Sequence, residues 1–503
     1  MAVDLSKTRY CEALQCPKRV WLRKYKPDEY DKSYDDEAIL KQGSEVGDLA
    51  MGLFGAFHEI VRDDDRDKMA QDTQIEMKKG TSVITEASFF VDKLFCSVDI
   101  LRNLGAGNVE IYEVKSSTKV KPIYKHDAAF QYYVLTKAGL NVQKACLVII
   151  DNQYVRGDEL DIQQLFKIVD LTDEIRDLQR DTVKNLADIA AYMYTAGDNE
   201  PPRNMGKQCF ESKAEDSLHP YDCPFFPYCS RGLPKPNIFD IRGMNVPAKV
   251  KFYNDGIYSF EDVLPHVKKE DYKQQVDHEL HETEPYIDKP AIRNFLTQFQ
   301  YPLYFLDFET INPAIPQYKG TRPYQRQVFQ YSLHILESAN GKLIHKEYLG
   351  DPRKDSREEI AQRLCQDIPA GACIVAYNES VERGCIQDLA NEYPQLRTQL
   401  LARLTHFVDM MVPFRDRLYY SKVLKGGYSI KDVLPALFPN DKELDYHALA
   451  GVHNGGEAPM VYLESAKDDC TDAAIKRQQM LKYCELDTLA MVKIFEKLQA
   501  LTL

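Results

Sequence analysis

The stretch YFLDFET, Tyr304–Thr310, decides how the second half of the chain is read. It is an apolar run that ends in two carboxylates one residue apart. Side chains i and i+2 of a strand share a face, so Asp307 and Glu309 project together and can grip one hard cation. The plain alternative is a buried strand leaving the core, and two motifs nearer the C-terminus bear on the choice. CIVAYNESVERGCI (373–386) is an apolar strand running into Asn378, with Glu382 four residues on, as in the first turn of a helix. KYCELDTLAM (482–491) lies in a strongly periodic terminal helix and sets Tyr483 and Asp487 at i and i+4, on one helix face.

Two strand acids, an acid at a helix start and a late helical Tyr/Asp pair resemble the DEDD exonucleases of the ribonuclease H-like fold, in the variant whose last motif is Tyr-x3-Asp. The resemblance implies that Asp307, Glu309, Glu382 and Asp487 hold two divalent ions, Mg²⁺ or Mn²⁺, while Tyr483 orients the attacking water. Glu382 stands where that family has Asp, and Asp409 in FVDMMVPF is the rival for the fourth acid.

In the first half, ASFFVDKLFCSVDIL and VEIYEVKSS read as two neighbouring strands around the turn RNLGAGN. DAAFQYYVLTKAGL follows as a helix ending at Gly139, and KACLVIID as another strand, which makes an α/β core. Asp99 closes an apolar strand, and Glu113 and Lys115 flank Val114, so the period of two sends both to one face. Two acids and an amine suit metal-assisted phosphodiester hydrolysis; a surface Glu–Lys pair on an edge strand is the other reading. SVDIL, YEVKSS and AAFQYY resemble the PD-(D/E)XK nuclease superfamily, in particular its RecB-like branch. That resemblance implies a catalytic set of Asp99, Glu113, Lys115 and Gln131, with Asp99 and Glu113 as metal ligands. The branch often carries a metal-binding His on its first helix; QGSEVGDLA has Gly47 there, with Glu45 as a possible substitute.

Cys209, Cys223 and Cys229 crowd a Pro- and aromatic-rich loop, CFESKAEDSLHPYDCPFFPYC, which has no helix or strand pattern of its own and needs a staple. Three thiolates want a fourth ligand for zinc or for a four-cysteine cluster; Cys16 is the candidate and Cys11 the runner-up. The iron–sulfur relatives of RecB, including the CRISPR-adaptation exonucleases, have one Cys before a Pro and a basic helix, and three after the nuclease core. Resemblance to them implies a structural [4Fe-4S] cluster on Cys16, Cys209, Cys223 and Cys229, with zinc as the alternative.

The chain has 503 residues, 44% hydrophobic and 28% charged, which implies more than one core. No stretch reaches the ~18 uninterrupted apolar residues of a membrane span, and no signal or transit peptide is readable, so a cytoplasmic location without a membrane partner is expected. A net charge of −13 argues against a protein that coats nucleic acid, although metal sites themselves need acids. Against that balance, CPKRVWLRKYK (16–26) is a basic stripe with aromatics that either tracks a phosphate backbone or is a solvated helix face. KGGYSIKDVLPAL (425–437) is likewise either a strand-phosphate contact or a helix start packing on the core.

The expected architecture is α/β: a PD-(D/E)XK nuclease domain with an iron–sulfur cluster over 1–235, a helical linker over 236–298, and a ribonuclease H-like exonuclease domain over 299–503. YFLDFETINPAIP, RPYQRQVFQYSLHI, AYNESVE, GGYSIKDVLPAL and YCELDT resemble a bacterial family of uncharacterised proteins that couples these halves. The expected function is a two-site, metal-dependent nuclease on single-stranded or end-bearing DNA, in repair or defence, with RNA a further candidate substrate. One degenerate half kept for DNA binding, or a non-catalytic nucleic-acid scaffold, are the competing readings.

Overall fold

In the computed structural model the chain forms two units, Met1–Gly232 with Pro313–Tyr324, and Leu233–Asn312 with Gln325–Leu503. The described residues are 4–202, 205–212, 217–218, 221–339, 341–453 and 455–503, with the backbone only for residue 447. The rest of the cysteine loop, 213–216 and 219–220, lies outside them. Among the described residues no helix is long and apolar enough to cross a membrane.

The first unit is built on a mixed sheet of β1 (Leu5–Ser6), β2 (His58–Glu59), β3 (Val83–Val91), β4 (Leu94–Gly105), β5 (Asn108–Lys115), β6 (Asn141–Ile150) and β7 (Phe166–Asp170). The order is β2-β3-β4-β5-β6-β7, with β1 parallel to the start of β4. ASFFVDKLFCSVDIL is two strands rather than one: Asp92 and Lys93 both have positive φ, 51° and 65°, and turn the chain in a two-residue hairpin. No Gly or Asn marks that turn, which is why it escapes a reading by composition. β5 and β6 are parallel, and the helix Pro122–Lys137 makes the crossover between them. Pro122 opens that helix where an amide is not needed, and Phe130 stacks on Tyr10 of the first helix, Lys7–Gln15, at 4.9 Å. Both helices therefore lie over one face of the sheet.

On the other face, Tyr112 and Val148 pack with Val46 and Ala50, and this cluster takes in Ala314, Ile315 and Tyr324 from the distant segment. Arg156 fastens the same segment, donating from Nη1 to the Pro316 carbonyl at 2.8 Å and from its amide to Thr321 at 3.0 Å. Tyr324 has φ +58°, and its hydroxyl lies 3.0 Å from Ser116 Oγ, next to Lys115.

The second unit contains the sheet β11-β10-β9-β12-β13, formed by β9 (Leu303–Ile311), β10 (Gln327–Leu336), β11 (Leu343–Leu349), β12 (Cys373–Ala376) and β13 (Phe407–Asp409). β9, β10 and β11 are antiparallel neighbours, and β12 and β13 continue parallel to β9. The period of two is plain in the packing. Leu303, Phe305 and Ile311 bury against the terminal helix Ala473–Thr502, while Tyr304, Leu306 and Phe308 bury against the helices Arg357–Asp367 and Glu379–Glu392. Asp307 and Glu309 thus face the terminal helix. Residues 236–298, expected as a linker, contain the helices Val246–Asn254, Glu270–His281 and Lys289–Leu296, and belong to the second unit, with an apolar cluster around Phe260, Val263 and Val276.

Candidate functional site

In the first unit Asp99 lies one step beyond the Ile100–Tyr112 pair of β4 and β5. Glu113 and Lys115 stand on β5, and Asp127 and Gln131 stand one helical turn apart on the crossover helix. Lys115 Nζ donates to Glu113 Oε1 at 2.6 Å and to Asp127 Oδ2 at 2.7 Å. Gln131 Nε2 donates to Glu113 Oε2 at 2.7 Å and Asp127 Oδ1 at 3.1 Å. The four residues expected from the sequence come together, and three others join them.

Lys7, in the first turn of its helix, donates to Asp99 Oδ1 at 3.2 Å and to Glu113 Oε1 and Oε2 at 3.0 and 3.1 Å. Burial opposes its charge, but Asp99, Glu113 and Asp127 hold the ammonium well above its usual range. Asp127 is the second addition; its only sequence signal is the i−4 spacing from Gln131. Glu86 is the third, on β3, with the left-handed φ of +51° that few non-glycine residues adopt. Burial, then Asp99, push its carboxyl up to about 7. Glu45, by contrast, is exposed on the helix Glu37–Ala50.

The second unit gathers a separate acid cluster. One carboxylate oxygen each from Asp307, Glu309 and Asp487 lie within 4.8 Å of one another. Burial, then Asp487, raise Asp307 and Glu309 well above the ordinary carboxyl range. Asp487 is raised by burial too, against the pull of the Tyr446 hydroxyl, which donates to its Oδ1 at 2.5 Å. Glu382 sits in the first turn of its helix, 2% exposed, and among the described residues its Oε2 has no hydrogen-bond partner. Burial also raises Glu382, with Asp409 and Asp487 adding and Arg326 opposing.

The rival acid is otherwise engaged. Asp409 Oδ1 accepts from the amides of Asn378 at 2.9 Å and Met411 at 3.0 Å. It steadies Asn378, whose φ is +70°, at the start of the helix that carries Glu382.

Tyr483 is buried, and burial followed by Asp487, Glu309 and Asp307 keep its hydroxyl protonated far past its normal range. Lys431 is a cation facing these acids: burial lowers its pKa, while Asp487 and Glu309 favour its charge. Its Nζ lies 5.0 and 5.5 Å from the rings of Tyr446 and Tyr483 and donates to the His453 carbonyl at 2.8 Å. It is presented by the helix Ile430–Leu437, whose start is fixed by a capping box between Ser429 and Asp432. GGYSIKD therefore serves both as a helix start and as the arm that brings in a lysine.

Cys16, Cys209, Cys223 and Cys229 line one cavity of 620 Å³ with Tyr192 and Met205. Burial pushes Cys209 up to about 12 and Cys223 up to about 11. Cys16 caps the helix Pro17–Tyr25, where the amides of Lys18 and Arg19 counter the burial that raises it. Cys11 is elsewhere; its charged neighbours are Asp127, Lys115, Glu113 and Lys7 of the carboxylate site. The basic stripe is partly paired and partly solvated, with Lys24 and Lys26 exposed. Lys18 is buried and pairs with Glu200 at 3.1 Å, while Arg19 and Arg23 both pair with Glu12 at 2.9 Å.

A family model described as a domain of unknown function, DUF2779, matches residues 304–429. That span contains Asp307, Glu309, Glu382 and Asp409, and stops before Lys431, Tyr483 and Asp487. No curated protein and no solved structure matches the chain.

Proposed function

We propose that the chain is a metal-dependent nuclease with two phosphodiester-cleaving sites, acting on single-stranded or end-bearing DNA. The carrying observation is the convergence of Asp307, Glu309 and Asp487 on one buried spot, together with the buried Glu382, whose Oε2 has no hydrogen-bond partner among the described residues. Buried carboxylates with so little compensation are costly in isolation, and an all-oxygen donor set fits a hard divalent cation. Mg²⁺ or Mn²⁺ held by Asp307, Glu309, Glu382 and Asp487 would supply Lewis acidity to a phosphoryl oxygen. The chain's own residues do the rest. The protonated Tyr483 hydroxyl donates to the attacking water and holds it in line, while Lys431 offsets negative charge on the phosphate.

In the first unit Asp99 and Glu113 would hold the cation. Lys115, clamped between Glu113 and Asp127, offsets charge on the phosphate, and Gln131 fixes the Glu113 carboxylate. The strand order β11-β10-β9-β12-β13 supports a ribonuclease H-like reading of the second unit, and the β4–β5–helix–β6 succession supports a PD-(D/E)XK reading of the first. Four thiols lining one cavity supply the donor set of a four-cysteine centre, and we assign it to a [4Fe-4S] cluster, with one zinc ion as the alternative. Such a cluster joins the helix Pro17–Tyr25 to the segment after the core, a structural role. A brown protein with stoichiometric iron and sulfide supports it; stoichiometric zinc instead assigns the site to the single ion.

The test is digestion of 5′- and 3′-labelled single strands, duplex and RNA with Mg²⁺ or Mn²⁺. Metal-dependent nucleotide release from DNA, lost in a Glu113→Gln/Asp307→Asn double variant, supports the proposal. Release unaffected by that variant overturns it, and a preference for RNA reassigns the substrate. One observation favours a second reading, in which only the C-terminal site cuts: Lys7 already bridges Asp99 and Glu113. Activity insensitive to Lys115→Ala and abolished by Asp307→Asn selects it.

A further inference from the structure

β10 is buried along its whole length, yet it carries Gln330, Ser332 and His334 on one face. Buried polar side chains in a strand need partners, and these look to the terminal helix. Gln330 Nε2 donates to the Met480 carbonyl at 2.9 Å; Ser332 Oγ and His334 Nδ1 each lie 2.8 Å from Thr488 Oγ1. His345, directly across from His334 on β11, stacks on it at 4.5 Å, and its Nε2 lies 3.0 Å from Ser332 Oγ. Each imidazole thus has one nitrogen occupied by a hydroxyl and, among the described residues, no hydrogen bond on the other. The free Nδ1 of His345 lies 3.9 Å from Glu485 Oε1, while Lys482 on the same helix holds Oε2 at 3.0 Å. One ligand atom from each of His334, His345 and Glu485 falls within 4.8 Å of the other two.

We propose that His334, His345 and Glu485 form a transition-metal site of the zinc class, which pins the terminal helix to the outer strands of the sheet. The donor set is two imidazoles and a carboxylate, the chemistry that selects zinc-like ions over Mg²⁺. Bonds of ~2.0–2.1 Å place tetrahedral ligands roughly 3.3 Å apart, so from 3.9 Å the His345–Glu485 pair closes by about 0.6 Å and the other pairs by at most about 1.5 Å. Ser332 and Thr488 supply what ligating histidines ordinarily have, a hydrogen bond on the far nitrogen that fixes the ring. The site lies on the same sheet face as Asp307, which is opposite Ser332 in the β9–β10 register, and on the helix that carries Tyr483 and Asp487. An ion there sets the height of that helix, and so of both residues, while touching neither.

The full-length protein, stripped of loosely bound metal, is titrated with Co²⁺ and then Zn²⁺. The expected result is weak visible cobalt bands without thiolate charge transfer, displaced by Zn²⁺, and a Zn²⁺-dependent rise in Tm. His345→Ala and Glu485→Gln replace side chains that are 24% and 29% exposed, so the fold survives them; each weakens Zn²⁺ binding at least tenfold and removes the Tm rise. Asp307→Asn leaves the bands in place. The proposal is overturned if wild type shows no such bands, if both variants keep them, or if Asp307→Asn alone removes them. No cleavage assay enters this readout, so it stands or falls separately from the nuclease reading.

Discussion

The Lys7 ammonium lies 3.0 and 3.1 Å from the two carboxylate oxygens of Glu113, and so holds the side chain that is the first unit's central candidate cation ligand. A divalent ion taking those oxygens has to displace it. Lys7→Ala is therefore expected to raise Mn²⁺ affinity at this site about tenfold, worth ~1.4 kcal/mol, while lowering the Tm of the metal-free protein. Calorimetric titration in an Asp307→Asn background isolates the site; unchanged or weaker Mn²⁺ binding would sink the idea.

The acid cluster of the second unit makes a prediction about pH. Burial raises Asp307, Glu309, Glu382 and Asp487 above their unfolded values near ~4, so the folded state binds more protons than the unfolded one from there up through neutrality. Stability from these groups is then present at low pH and lost as pH rises. His334, lowered to about 4 by burial and then by His345, contributes a slope of the opposite sign, so the comparison must be differential. Without metal, Asp307→Asn is expected to be more stable than wild type at pH 8 by ~1–3 kcal/mol and by little at pH 5. Denaturant melts at both values check it, and Mg²⁺ should narrow the gap at pH 8.

Glu382 and Asp409 should fail in different ways. Asp409 accepts two backbone amides, so Asp409→Ala is expected to cost about 1–2 kcal/mol of stability. Glu382→Gln, which replaces a buried acid whose Oε2 has no hydrogen-bond partner among the described residues, should leave stability unchanged or higher and reduce cleavage by roughly 10²-fold. Equal activity losses with equal destabilisation would return Asp409 to candidacy.

The two N-terminal cysteines separate by location. Cys16→Ser is expected to abolish the iron–sulfur chromophore, whereas Cys11→Ser, beside Lys115 and Asp127, should keep it. Anaerobic reconstitution followed by absorption spectra decides; a chromophore lost only in Cys11→Ser reverses the assignment.

Periodicity is what makes part of each site legible in the sequence. Asp307 with Glu309 and Glu113 with Lys115 follow from a period of two, and Tyr483 with Asp487 from a helical turn. Other residues reach their sites by routes no local window contains. Lys7 meets Asp99 and Glu113 across 92 and 106 residues. Glu86 is turned toward them by a left-handed backbone that β-propensity does not foretell. Tyr446 precedes its carboxylate partner by 41 residues. Lys431 is in view within KGGYSIKDVLPAL, but its facing charges are set by the fold. The basic stripe misleads in part for the converse reason: Lys18, Arg19 and Arg23 look free in sequence and are paired by Glu12 and Glu200, while Lys24 and Lys26 are exposed.

The first unit is not a contiguous piece of chain, because Pro313–Tyr324 belongs to it while Asn312 and Gln325 on either side belong to the second. A gene break after Gly232 therefore yields an N-terminal product missing Ala314, Ile315 and Tyr324 from its apolar cluster, with Ser116 deprived of its tyrosine. An exchange of the first 232 codons with another gene leaves the recipient segment facing a foreign surface. The 313–324 segment thus ties the early sequence to a stretch encoded much later, and a substitution at Ser116 or Tyr324, 208 residues apart, falls on a contact that both share.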